Sequence, residues 1–212
     1  VGTDGVLLGA LTNVENAAKV LEVGTGTGLI SLMLAQRNLQ ADFLSLDINP
    51  EAELLAKKNF ENSPFSERMK TVLCDFKLFK SEEKFDVIVS NPPYFETSDS
   101  EKDKIARQRV ELNFSDLIEK SKPLLNKNGL LSVIIPADEG EYFTQKSIEN
   151  NLFLIRKIII SGIENASPKR LILEFSPEKK EYSETRFVIE KSPRKYSDQY
   201  LELTKEFHVF KG

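Results

Sequence analysis

Four consecutive residues near the middle of the chain, Asn91-Pro92-Pro93-Tyr94, carry its most specific chemical signal. They follow Phe85 to Ser90, a mostly apolar stretch that reads as a strand. Two prolines at a strand end fix the backbone and remove two amide donors. What remains is the side-chain oxygen of Asn91 and the carbonyl of Pro92, rigid acceptors with the ring of Tyr94 beside them. That grouping suits a planar NH2 group, with one acceptor for each hydrogen and a ring to stack on the attached heterocycle. Such stacking adds roughly 1–3 kcal/mol of base binding. A proline-terminated strand with a surface tyrosine is the plainer account of the same residues.

A second constellation lies upstream. Val23-Gly24-Thr25-Gly26-Thr27-Gly28 follows a short apolar strand, and its glycines allow a sharp turn that a ligand can approach closely. The dinucleotide fingerprint needs glycine where Leu29 stands, and no P-loop lysine follows. The spacing instead suits a nucleoside ligand without a pyrophosphate, such as S-adenosylmethionine. Asp47 follows Gly28 at close to the ~20-residue interval at which a carboxylate reaches ribose hydroxyls. Asp75 ends the next strand, where its carboxylate can accept from an adenine amino group with Phe76 beside the ring. A tight strand-to-helix turn, a helix cap and a turn residue are the plainer readings of these three features.

Taken together, the two constellations define a reaction. An adenine amino nitrogen is a poor nucleophile because its lone pair is delocalised into the ring. Acceptors on both N–H groups favour a more pyramidal nitrogen, with its lone pair directed at a sulfonium methyl. Positioning and preorganised dipoles then do most of the work. No general base near neutral pKa is needed before transfer, which fits a chain whose only histidine, His208, lies outside the strand ends.

The elements that must hold these groups alternate strand, turn and helix. Lys19–Val23, Phe43–Leu46, Thr71–Cys74 and Phe85–Ser90 read as successive strands. Their carboxyl ends carry the glycines, Asp47, Asp75 and Asn91, where open α/β sheets bind ligands. Asn49 and Pro50 announce a helix with Ala52, Leu55, Ala56 and Phe60 on its inner face. Leu117 to Leu125 suggests another helix, kinked or ended by Pro123, and Leu130–Ile135 a strand buried on both faces. A helix over 139–151 is followed by β-rich stretches at 152–160, 170–175 and 186–190, with loops at 96–104 and 176–184. The expectation is one α/β domain over residues 1–212, a doubly wound, mostly parallel sheet with an antiparallel edge strand.

Composition bounds the partners. Of 212 residues, 40% are hydrophobic and 29% charged, a globular balance. Cys74 cannot form an internal disulfide, and one cysteine with one histidine gives no basis for a metal site. No apolar run approaches a membrane span, so a cytoplasmic protein in a reducing compartment is expected, with a monomer favoured. The net charge of −4 excludes a broad basic face, so a nucleic acid must be met at a local patch. The first residue is Val1 rather than methionine, which points to a chain trimmed at its N-terminus.

These residues resemble the class I methyltransferases with an asparagine-proline-proline-tyrosine motif. More narrowly, the chain is similar to the bacterial tRNA1(Val) (adenine-37-N6)-methyltransferases. The likeness runs through Val1 to Ala10, Gly24–Gly28, Asn91–Phe95, Pro168-Lys169-Arg170 and Tyr200–Phe207. It implies a seven-stranded doubly wound sheet, S-adenosylmethionine as donor, and an adenine splayed from a tRNA anticodon loop as acceptor. On this reading Asn91, Pro92, Pro93 and Tyr94 are catalytic. Glu22, Gly24, Thr25, Gly26, Gly28, Asp47, Ile48, Asp75, Phe76 and Asn91 bind the donor. Tyr94, Phe95, Arg107, Lys169 and Arg170 face the substrate, with Arg194 and Lys195 as further cations for RNA phosphates. The family often has histidine after the arginine that Arg107 matches, and here Gln108 stands there. It also implies an arm upstream of Val1 that helps close the pocket. A protein glutamine amide fits the same motif as acceptor, and a cofactor-binding module without catalysis is the third reading.

Overall fold

The computed structural model describes residues 2–93 and 113–207. Tyr94, Phe95, Arg107, Gln108, His208 and the expected loop at 96–104 lie outside the described residues. The first half of the chain runs α1 (Thr3–Leu11), β1 (Lys19–Val23), α2 (Leu29–Arg37), β2 (Asp42–Asp47), α3 (Pro50–Glu61), β3 (Met69–Leu73) and β4 (Phe85–Ser90). The second runs α4 (Phe114–Leu124), β5 (Leu125–Pro136), α5 (Gly140–Glu149), β6 (Phe153–Ile163), β7 (Pro168–Ser176), β8 (Ser183–Ser192), β9 (Lys195–Tyr196) and α6 (Asp198–Thr204).

The strands form one sheet in the order β3-β2-β1-β4-β5-β7-β6-β8-β9. The pairings from β3 through β5 are parallel, β7 is antiparallel to both β5 and β6, and β8 again runs parallel to β6. This is the expected doubly wound, mostly parallel architecture with an antiparallel edge strand, β9, which pairs with β8; β7, also antiparallel, is internal. One correction is needed: among the described residues the sheet has nine strands, not seven, because β8 and β9 continue past β6. The charged segment at 176–184 had obscured how early β8 begins. The seed of the strand is Phe187, which is 7% exposed and packs into the core.

Alternation along the central strands divides the core. On β1 and β4, Val20, Val87 and Val89 face one cluster with Leu34, Phe43 and Phe60. Leu21 and Ile88 face the other, with Leu117, Ile118, Phe143 and Phe175. With helices over both faces, strand ends are the part of the sheet open to ligands. Asn49 caps α3 as its sequence implies, its side chain accepting from the N–H groups of Glu51 and Ala52.

Helix α1 has no counterpart among the expected elements. Gly5 through Ala10 is buried on every side, so there is no polar face to reveal a helical period. Gly9 lets it lie against α2, where an added Cβ would come within 2.9 Å of Met33. At its C-terminal end, the Asn13 N–H donates to Glu174 Oε1 at 2.9 Å, and Arg156 donates to the Leu11 carbonyl at 2.8 Å. At its N-terminal end, Asp4 accepts from Arg170 at 2.8 Å. Polar bonds therefore tie both ends of α1 to the β6–β7 pair, and its N-terminus lies beside that of α2. Among the described residues no helix is long and apolar enough to cross a membrane.

Candidate active site

The site is assembled at the carboxyl ends of β3, β2, β1 and β4, which are adjacent in the sheet. Gly24, Gly26 and Gly28 all have positive φ, at 76°, 56° and 79°. A Cβ built at Gly24 or Gly26 would meet no atom within 4 Å, so the turn presents bare backbone to open space. Gly28 serves a different purpose. A Cβ there would come within 2.5 Å of the Phe60 ring, so the missing side chain lets α3 close on the turn. Gly28→Ala combines left-handed strain with overpacking and is expected to lower stability by about 2–4 kcal/mol. Denaturant unfolding measures this, and a variant within about 0.5 kcal/mol of the parent would contradict the packing account.

The turn is shaped from below by Glu22. This side chain is fully buried, and its Oε2 accepts from Thr25 Oγ1 at 2.8 Å, Ser31 Oγ at 2.5 Å and Ser31 N–H at 3.3 Å. Ser31 in turn contacts Ser45 of β2 at 2.9 Å. Burial drives the Glu22 carboxyl up to about 7 against the hydrogen bonds that favour its charged form. Its second oxygen is buried with no partner. Glu22 and Thr25 thus set the shape of the turn from within, and the backbone they hold is what faces the cleft.

Asp47 braces the turn from the side. One oxygen accepts the Gly26 N–H at 2.8 Å and the other the Asn49 N–H at 2.9 Å. Each carboxylate oxygen keeps a further acceptor site for a ligand hydroxyl. Ile48 follows at the rim, 54% exposed. Asp75 Oδ1 accepts the Lys77 N–H at 2.9 Å, the turn geometry that is its plainer reading, with the Lys77 ammonium 3.8 Å from the other oxygen. Phe76 is only 4% exposed, packed in the core and stacked on Phe79 at 6.5 Å between ring centroids. Its ring is therefore part of the floor rather than a free face.

Asn91 closes the fourth side. The preceding residue, Ser90, is fully buried and donates to the Val23 carbonyl at 2.8 Å, locking the end of β4 against the start of the glycine turn. Pro92 is buried and Pro93 exposed. The Asn91 side-chain oxygen is buried without a hydrogen-bond partner among the described residues. Leaving such an acceptor unsatisfied costs about 1–3 kcal/mol, an expense that native proteins rarely carry without function. An open glycine cradle therefore stands one strand away from an unsatisfied, rigidly mounted acceptor.

Known proteins identify the family. A sequence profile of the methyltransferase small domain matches residues 2–151. A tRNA1(Val) (adenine(37)-N6)-methyltransferase of a Flavobacteriaceae bacterium (strain 3519-10) is 54% identical over 211 residues, covering 99% of this chain and 91% of its own. The chain belongs to the tRNA1(Val) (adenine(37)-N6)-methyltransferase family. The protein of the same name from Bacteroides fragilis (strain NCTC 9343) is 39% identical over 216 residues, covering 99% of this chain and 90% of its own. Among solved structures, a predicted O-methyltransferase of Agrobacterium tumefaciens superposes with a TM-score of 0.77 at 16% identity, covering 98% of each chain. That likeness fixes the methyltransferase fold.

Within this methyltransferase the remaining assigned residues are divided. Lys169 is exposed at the start of β7. Arg170, next to it, is half-buried and bonded to Asp4 of α1, so it joins two elements as well as lining the edge. Sequence reasoning had missed Ser31, Ser45 and Ser90, three fully buried hydroxyls that hold the site together. Their signal was a single serine inside the apolar runs Leu29–Leu34 and Phe43–Leu46, and one directly after Val87–Val89.

Proposed function

We propose that this methyltransferase transfers the methyl group of S-adenosylmethionine to N6 of an adenine in a tRNA anticodon loop, position 37 of tRNA1(Val). The observation that carries the reading is the buried, unpartnered oxygen of Asn91 at the end of β4. An exocyclic amino group supplies the donor this oxygen lacks, and the Pro92 carbonyl takes the second N–H. The names of the family's curated members support tRNA as the acceptor.

S-adenosylmethionine fits the residues present and supplies a methyl carbon activated by a positively charged sulfur. Gly24 and Gly26 leave the space its amino-acid and ribose portions need, because no side chain fills it. Asp47 is placed to accept the ribose hydroxyls while it holds the Gly26 N–H. Ile48 offers an apolar surface, and the Asp75 carboxylate an acceptor, to the donor's adenine ring. On the acceptor side, Asn91 and Pro92 fix the amino group and favour a pyramidal nitrogen. The proton leaves the nitrogen as its bond to carbon forms or afterwards, so no residue need remove it first.

Asp47→Asn tests the donor half. Asparagine keeps an oxygen for the Gly26 N–H but removes the charge, so affinity for S-adenosylmethionine should fall about tenfold by calorimetry. Unchanged affinity would remove Asp47 from the ribose site. The acceptor half is tested by nucleoside mass spectrometry of tRNA1(Val) from cells lacking the protein. Loss of N6-methyladenosine, restored by the parent gene, is expected; retention of the modified nucleoside would refute the assignment.

A further inference from the structure

We infer that the two hairpins beyond β5 form an RNA-backbone wall, in which Lys169, Arg194 and Lys195 contact phosphates flanking the methylated adenine. The inference rests on the RNA reading above and adds a surface to it. The sheet itself supplies the argument. Because β7 is antiparallel to β5, its first residues lie at the carboxyl edge, with Arg170 opposite Pro136. Because β6 and β8 run with β5, the turn leading into β9 emerges at that edge too. Counting strands at ~4.8 Å each, β7 lies about 10 Å from β4, and β8 and β9 about 19 and 24 Å away.

The wall also rises as it recedes. Ser161 pairs with Val188, whereas Lys195 pairs with Ser192, further along β8. That step of four residues, from 188 to 192, lifts the second hairpin roughly 13 Å beyond the level of Ser161. A single strand with its target base against Asn91 would meet Lys169 first and the second hairpin some nucleotides later.

The mount of that hairpin is rigid. Arg194, a non-glycine residue, is held at φ 65°, and its N–H donates to Glu190 Oε2 at 3.3 Å. Arg194 is the second residue of the two-residue turn between paired Ser192 and Lys195, where a positive φ closes the hairpin. Behind it, Tyr196 stacks on buried Tyr200 of α6 at 4.5 Å. Glu190 of β8 accepts the Arg194 backbone N–H, and Asp198 at the start of α6 pairs with Lys191 at 3.2 Å. Glu164, at the turn after β6, and Asp138 and Glu139, exposed just after β5, share the edge with these cations. Arg194 and Lys195 are exposed, as is Lys169. A chain of net charge −4 meets RNA phosphates through individual cations, and Lys169, Arg194 and Lys195 are exposed along the edge where the site's strands end.

The test pairs one double variant with two RNAs, the full-length tRNA and a pentanucleotide carrying the adenine at its centre. For Arg194→Glu with Lys195→Glu, KM for the tRNA should rise about tenfold with kcat changed less than twofold. The salt dependence of log Kd should flatten by about one to two. The pentanucleotide, too short to reach the second hairpin, should be affected less than twofold. Unchanged Kd and salt slope with tRNA would overturn the wall, as would equal losses on both RNAs. Kd is measured apart from turnover. A parent protein that binds tRNA but leaves it unmethylated would therefore refute the acceptor assignment, while the Kd comparison still decides the wall. If the double-glutamate protein does not fold, Arg194→Gln with Lys195→Gln is read by the same slopes, with half the flattening expected.

Discussion

Asn91→Ala should lower kcat about a thousandfold while S-adenosylmethionine affinity stays within about threefold of the parent, the scale seen when one preorganised polar contact is removed from a reacting centre. The separation follows from what the side chain does in the fold. Ser90, not Asn91, locks β4 to β1 through the Val23 carbonyl, so the glycine turn keeps its place in the variant. The Asn91 oxygen has no hydrogen-bond partner among the described residues, so its removal breaks no bond there. Stability should therefore hold or rise slightly as a buried, unsatisfied polar atom is lost. Calorimetry with the donor and single-turnover kinetics with tRNA distinguish the outcomes. Comparable loss of donor binding and turnover would make Asn91 a cofactor residue only.

The second large effect is a pH dependence of stability centred on Glu22. In the unfolded chain this carboxyl titrates near 4.5, and in the folded protein burial raises it to about 7. Between those values the native state binds a proton that the unfolded state has released. Stability from this group is thus fully present below pH 4.5, falls as pH rises through 7, and is level above. The full swing is about 3 kcal/mol at this degree of burial. Glu22→Gln removes the titration, and its amide oxygen can still accept from Thr25 and Ser31. The difference in unfolding free energy between parent and variant should therefore change by up to that amount from pH 4.5 to 8, with the variant gaining relative to the parent as pH rises. Two parallel pH profiles would mean that Glu22 is not protonated in the native protein.

Much of this architecture was legible from residue types alone. β1 and β4 were bounded correctly, at Lys19–Val23 and Phe85–Ser90, because a mostly apolar run meets Gly24 in one case and Asn91 before the proline pair in the other. The cap and first turn of α3 were equally plain, since Asn49-Pro50-Glu51 encodes all three helix-start preferences at once. What escaped were elements whose surroundings, not periodicity, decide their state. Helix α1 is buried on every side and carries two glycines; its helicity depends on α2 and the β6–β7 pair. β8 was expected at 186–190, and only its early start escaped: pairing along β6 carries it back to Ser183, inside a charged segment.

The chemistry divides along the same line. The glycines, Asp47 and Asn91 reach one cleft because they end adjacent strands, which the order of strand ends foretold. Side-chain direction was not foretold. A period-two pattern cannot say that Glu22 and Thr25 turn inward to hold the loop, or that the Phe76 ring belongs to the core. Nor could spacing show Arg170 bound to Asp4, residues far apart in sequence that the fold brings to 2.8 Å.

The central claim is that the Asn91 oxygen and the Pro92 carbonyl accept the two N–H groups of the adenine that is methylated. It is tested most directly by a crystal structure of the protein with S-adenosylhomocysteine and the anticodon stem-loop of tRNA1(Val). The account predicts adenine 37 out of its stack, with N6 about 3 Å from both oxygens and on the side where the donor's sulfur lies. An adenine seated elsewhere, or one whose amino group points away from Asn91 in the presence of bound donor product, would contradict it.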